Sequence, residues 1–174
     1  INPNRNRLFL LYSMIQGFTK TSITTDICTE DNRINTKVAS TQIRFLVKFI
    51  NDLDGSIEYC YPDLNTGIKP RYTDMTFQYH ISPDMYQGQI DLLPAGHWKY
   101  EVYEVSWLTT EFNIEFGTAP ATETDVLPVA NSNGVVQGIV TKGILNLTEK
   151  AGTEQVQYTQ HETTEGTNTI YYGQ

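Results

Sequence analysis

Apolar and polar side chains alternate one for one in segment after segment of this sequence. That spacing suits a strand with one buried face and opposes an amphipathic helix. In QIRFLVKFI, Ile43, Phe45, Val47 and Phe49 share one face, with Arg44 and Lys48 on the other. Leu46 and Ile50 break the polarity of that second face, so it too is expected to be half covered. RYTDMTFQYHI sets Met75, Phe77, Tyr79 and Ile81 against Asp74, Thr76, Gln78 and His80. TEFNIEF sets Phe112, Ile114 and Phe116 against Glu111, Asn113 and Glu115. Asp54-Gly55 is a hairpin signal. It joins the first of these strands to SIEYCY, where Ile57, Tyr59 and Tyr61 align before Pro62 ends the run. RLFLLYSMI also reads as a strand, because the Thr-rich TKTSITTDI follows it.

One segment changes phase. In LLPAGHWKYEVYEVSW the apolar positions are first Trp98, Tyr100 and Val102, then Tyr103, Val105 and Trp107. Such a strand either carries a β-bulge or leaves one layer and buries its opposite face elsewhere. Trp98, Tyr100 and Val102 are therefore expected in the main core. Tyr103, Val105 and Trp107 should face a second contact, either the C-terminal residues or a neighbouring subunit. Together with Tyr158, Tyr171 and Tyr172 they are the interface candidates, since tyrosine and tryptophan join a large apolar body to a polar tip.

Strands joined by tight turns at this spacing imply an all-β fold, an immunoglobulin-like antiparallel β-sandwich with an extended N-terminal arm and a small strand-rich C-terminal extension. LLPAGHWKY resembles the tyrosine-corner passage of immunoglobulin-like and fibronectin-like domains. Leu93, Gly96 and either Trp98 or Tyr100 would play its leucine, turn glycine and aromatic. The length of 174 residues suits one domain. The expected division is an arm or first strands over 1–40, the sandwich core over 41–116, an extended linker over 117–134 and the β extension over 135–174. The linker expectation rests on GTAPATETDVLPVANSNG. The extension has apolar stripes too thin for a core of its own, so it should dock on the sandwich or on a neighbour.

A formal net charge of −8 opposes nucleic acid and anionic membrane as partners. LFLLY is too short to span a bilayer and lacks a cleavage site. The chain opens on Ile1 rather than Met, which implies preceding residues outside this numbering. Cys28 and Cys60 have no metal-ligand spacing; two buried free thiols are expected, with a disulfide between them as the alternative. His80, His97 and His161 lie in separate segments. No GxSxG, HExxH, P-loop or dinucleotide turn occurs. Glu101 and Glu104 flank the phase change; Glu111 and Glu115 share a face about 13 Å apart, too far for retaining glycosidase chemistry. NDLDGS superficially offers Asp52, Asp54 and Ser56 to calcium, but Ile57 stands at the glycine position and Asp63 replaces the final Glu, so it reads as a turn. No catalytic residue, cofactor or metal ligand is therefore expected.

Three passages, FINDLDGSIEYCYP, IDLLPAGHWKYEVYEVSW and EQVQYTQHETTEGTNTIYYGQ, resemble virion structural proteins of tailed bacteriophages. The likeness covers most of residues 42–174. It implies a capsid-associated or head-decoration protein of the phage head, with the major capsid protein and copies of itself as partners. The alternatives are a carbohydrate-binding β-sandwich module, virion-borne or secreted, and a tail or connector structural protein. An enzyme such as a glycosidase, motivated by the carboxylates alone, ranks below these.

Overall fold

The computed structural model describes residues 13–69 and 71–150. Among the described residues nine strands form two sheets: β1 (Ser13–Phe18), β2 (Ile23–Ile27), β3 (Ile43–Asn51), β4 (Ile57–Cys60), β5 (Asp63–Ile68), β6 (Thr73–Tyr79), β7 (Gln89–Ile90), β8 (Gly96–Ser106) and β9 (Val135–Thr148). The larger sheet has the order β1-β9-β8-β3-β4 and the smaller β2-β6-β5, with β7 beside β6. Every helical turn among the described residues is three residues long. The protein is an all-β sandwich. Its order matches the B-E-D and G-F-C-C′ sheets of immunoglobulin-like domains, with β1 added in parallel beside β9.

The alternating residues close the core. Ile43, Phe45, Val47 and Phe49 of β3 and Trp98, Tyr100 and Val102 of β8 pack against Ile23 and Ile27 of β2 and Met75 and Phe77 of β6. Phe49 meets Phe77 edge-on at 5.2 Å between ring centroids. Asp54-Gly55 makes the expected β3–β4 turn: Gly55 takes φ 74°, which favours glycine, and its N–H donates to Asn51 O. At the end of β6, Tyr79 is only half-buried and Ile81 is 81% exposed, so the core face stops at Phe77.

The corner before β8 forms with altered actors. Trp98 is fully buried, and its indole N–H donates to Pro94 O, four residues upstream, at 3.1 Å. An indole thus performs the bond that a tyrosine hydroxyl makes in related corners. Leu92, not Leu93, is the buried leucine; Leu93 faces solvent.

Other expectations are corrected. Of the two readings for residues 1–40, 13–27 follow the first strands rather than the arm, because β1 and β2 belong to opposite sheets of the sandwich. Residues 135–148 are not an extension outside the sandwich: β9 lies inside the larger sheet, between β1 and β8. TEFNIEF forms no strand, since both edges of β8 are already taken by β3 and β9. The two thiols differ: Cys28 is exposed and Cys60 buried. Burial, then the nearby Asp63 and Asp84, push the Cys60 thiol far above its ordinary range, which leaves it unreactive near neutrality.

Candidate functional site

The phase change in β8 has a plain cause. Against β3 its register is unbroken from Trp98 to Ser106. The irregularities lie in β9, where Val140 and Gln137 are the extra residues opposite Val102–Tyr103 and Glu104–Val105. Side chains of β8 therefore never change sides. Its second half is buried on both faces at once.

On the inner face, polar Glu104 and Ser106 follow Val102 and are buried. The segment after β2 satisfies them. Ile34 N–H and Asn35 N–H donate to Glu104 Oε2 and Oε1 at 2.9 and 2.8 Å, and the Asn35 amide donates to Ser106 Oγ at 3.3 Å. A carboxylate with both oxygens taken by backbone donors is a structural clasp. Glu104→Gln presents an amide N–H to a backbone donor and is expected to destabilise by about 2–3 kcal/mol, read as a lower urea midpoint with unchanged slope.

On the outer face, Val105 and Trp107 join Leu46 and Tyr61 in a second apolar cluster. Residues 108–134 form its lid, a strap running from the end of β8 to the start of β9. Phe112 stacks on Trp107 at 4.2 Å and 5°, and the Arg44 guanidinium lies 5.1 Å above the Phe112 ring. Ala119 and Pro120 are buried, and the Tyr61 hydroxyl donates to Pro120 O at 2.7 Å. Where the strap closes, Gly134 N–H donates to Thr118 O, and a Cβ on Gly134 would stand 2.6 Å from the Trp107 ring.

A polar latch holds the strap beside this cluster. Glu123 accepts from Lys48 Nζ and from the Tyr59 hydroxyl, each at 2.6 Å. Next to it, the Tyr103 hydroxyl donates to Glu101 at 2.7 Å. Burial, then those hydrogen-bonded carboxylates, push both phenols well above their ordinary range, so they remain donors. Burial raises Glu123, but the bonds from Lys48 and Tyr59 outweigh it and hold the carboxyl below its usual range. A depressed carboxyl stabilises the fold above its unfolded pKa and loses that contribution as pH falls through the folded one. Glu123→Gln is expected to cost about 1 kcal/mol at neutral pH. It should cost nothing once the wild type is acidified below that folded value, a convergence that urea titrations at several pH values would reveal.

The interface candidates thus separate. Val105 and Trp107 are covered by the chain's own strap, Tyr103 is half-buried in the latch, and Tyr158, Tyr171 and Tyr172 lie outside the described residues. The β8 stripe was expected to meet the C-terminal residues or a neighbouring subunit; its cover is instead chiefly the strap, with Val136 of β9 beside it. Glu111 and Glu115 are exposed on it, as are His80 and His97 on their own segments, and His161 lies outside the described residues. Among the described residues no three metal-ligating side chains cluster. A recess of about 520 Å³ opens beside the strap between Arg44, Tyr61, Asp63, Leu64, Tyr86 and Ile114. Sequence reading missed Glu123, Pro120 and Ala119, which sat in an apparent linker. The available signal was Leu46, which with Ile50 breaks the polar face of β3 and demanded a cover.

No family model matches the chain, and no curated protein is similar to it. A solved structure described as "a putative glycoside hydrolase from Bacteroides vulgatus" aligns over 79% of this chain and 17% of its own length, with a TM-score of 0.37 and 10% identity. The chain therefore spans under a fifth of that protein.

Proposed function

We propose that this chain is a non-catalytic structural protein of a tailed-bacteriophage virion, associated with the capsid of the head. Its partners would be the major capsid protein and copies of itself. The carrying observation is the fate of its aromatic residues. Trp98, Tyr100, Phe45, Phe49, Phe77, Tyr61 and Trp107 are all buried. Among the described residues the large aromatics that are exposed, Phe18, Tyr72 and Phe116, come from β1, the approach to β6 and the strap rather than from one face. A sugar-binding sandwich needs neighbouring exposed rings; a building element needs its rings inside.

Two of the three phage-like passages also fall on scaffold. FINDLDGSIEYCYP covers the β3–β4 hairpin and IDLLPAGHWKYEVYEVSW covers the corner and β8. This supports a likeness of building plan rather than of a reactive centre. Mass spectrometry of purified particles, with heads and tails separated, is the test. The chain is expected in the head fraction. Its absence from particles sinks the reading, and its presence only in tails replaces it with the tail or connector alternative. Binding above background on a glycan array would favour the carbohydrate module instead.

A further inference from the structure

We propose that β1 is the seam of a symmetric dimer, in which two copies pair β1 against β1 antiparallel and join their larger sheets into one. This stands on the sheet edges alone and goes beyond the virion reading.

Exposed edge strands invite unwanted pairing, and proteins blunt them with charge, proline, bulges or brevity. Among the described residues the two sheets have four edges, and three of them are blunted. β4 is four residues long and carries Glu58, and the chain continuing from it is bonded, Tyr61 N–H to Met85 O. β5 begins at Asp63 and has an irregular register between Leu64 and Ile68. β2 carries Asp26. β1 is the exception. Its sequence SMIQGF has no charge and no proline, and its register with β9 is unbroken. Met14 and Phe18 stand 63% and 55% exposed on its outer face. Among the described residues only β9 pairs with it.

Charge and pattern select a second copy as the occupant. Two chains of net charge −8 repel, so they meet most easily along a strip that has no charge. The strip is also self-complementary about Gln16. Antiparallel pairing centred there sets Met14 opposite the partner's Phe18, a favourable sulfur–aromatic contact. It sets Gln16 opposite the partner's Gln16, where the amides can bond each other. Such an arrangement is the isologous contact expected of a two-fold dimer. A seam of six residues is small, so the dimer is weak alone and gains from multiplicity in an assembly.

Sedimentation equilibrium on the full chain tests this, with Gln16→Lys and Gln16→Glu. Gln16 is exposed, so both variants should keep the wild-type thermal midpoint. Each sets like charges opposite one another and should raise the dimer dissociation constant roughly fivefold. An equimolar mixture of the two should restore or exceed wild-type association. The proposal is overturned if the wild type stays monomeric at millimolar concentration, if both variants associate as the wild type does, or if mixing them restores nothing.

Discussion

Trp98→Ala is expected to lower the unfolding free energy by about 3–5 kcal/mol, the range for a buried tryptophan cut to alanine. Trp98→Phe should lower it by a smaller amount that includes about 1 kcal/mol for the lost hydrogen bond. The reasoning starts at the corner. Trp98 is fully buried among residues from both sheets, and its N–H fixes Pro94 O at 3.1 Å. Alanine removes the packing and the bond together. Phenylalanine keeps most of the packing and leaves the Pro94 carbonyl without its indole donor. Urea unfolding followed by circular dichroism gives both numbers. Should the alanine variant fail to fold, the phenylalanine variant still tests the bond. A Trp98→Phe change with no loss of stability would show that the corner bond contributes nothing beyond shape.

What the sequence revealed depended on whether the deciding partner was near or far along the chain. The β3 and β6 core faces were legible because each strand carries its own period-2 stripe. The β3–β4 hairpin was legible because Asp54-Gly55 encodes its turn within a few residues. β9 was not. Its apolar residues, Val135, Val136, Ile139, Val140, Ile144, Leu145 and Leu147, keep no single alternation, because the extra residues at Gln137 and Val140 shift it. Its place between β8 and β1 depends on a parallel pairing across more than a hundred residues, which no local pattern specifies.

The strap erred in the opposite direction. TEFNIEF alternates well, yet alternation makes a strand only where a ladder partner is free, and β8 had none to offer. Phe112 and Ile114 satisfy the same apolar demand by packing on the Trp107 cluster as irregular chain. The phase change in β8 was the sharpest clue to this site. It marked a strand that is covered on both faces, by the strap outside and by the Glu104 clasp inside. Identifying the strap as the cover needed the fold, because Ala, Thr and Pro in GTAPATETD look the same in a docked segment as in a linker.

Trp107→Ala is expected to cost about 3–5 kcal/mol as well, but with a different signature from Trp98. Its ring carries the strap: Phe112 stacks on one side and Gly134 sits against its edge. Alanine there should free the strap while the sandwich remains folded. The strap contains Glu111, Glu115 and Glu123 and no Lys or Arg. A glutamate-specific protease should therefore cut it faster in Trp107→Ala than in wild type, while trypsin resistance of the sandwich persists. The phenylalanine variants should also part company. The Trp107 indole N–H is buried and finds no acceptor among the described residues, whereas that of Trp98 is bonded. Removing an unsatisfied buried donor offsets part of the lost packing. Trp107→Phe is thus expected to cost about 1 kcal/mol less than Trp98→Phe, and equal losses in the two would mean that the Trp107 indole is hydrogen-bonded in solution.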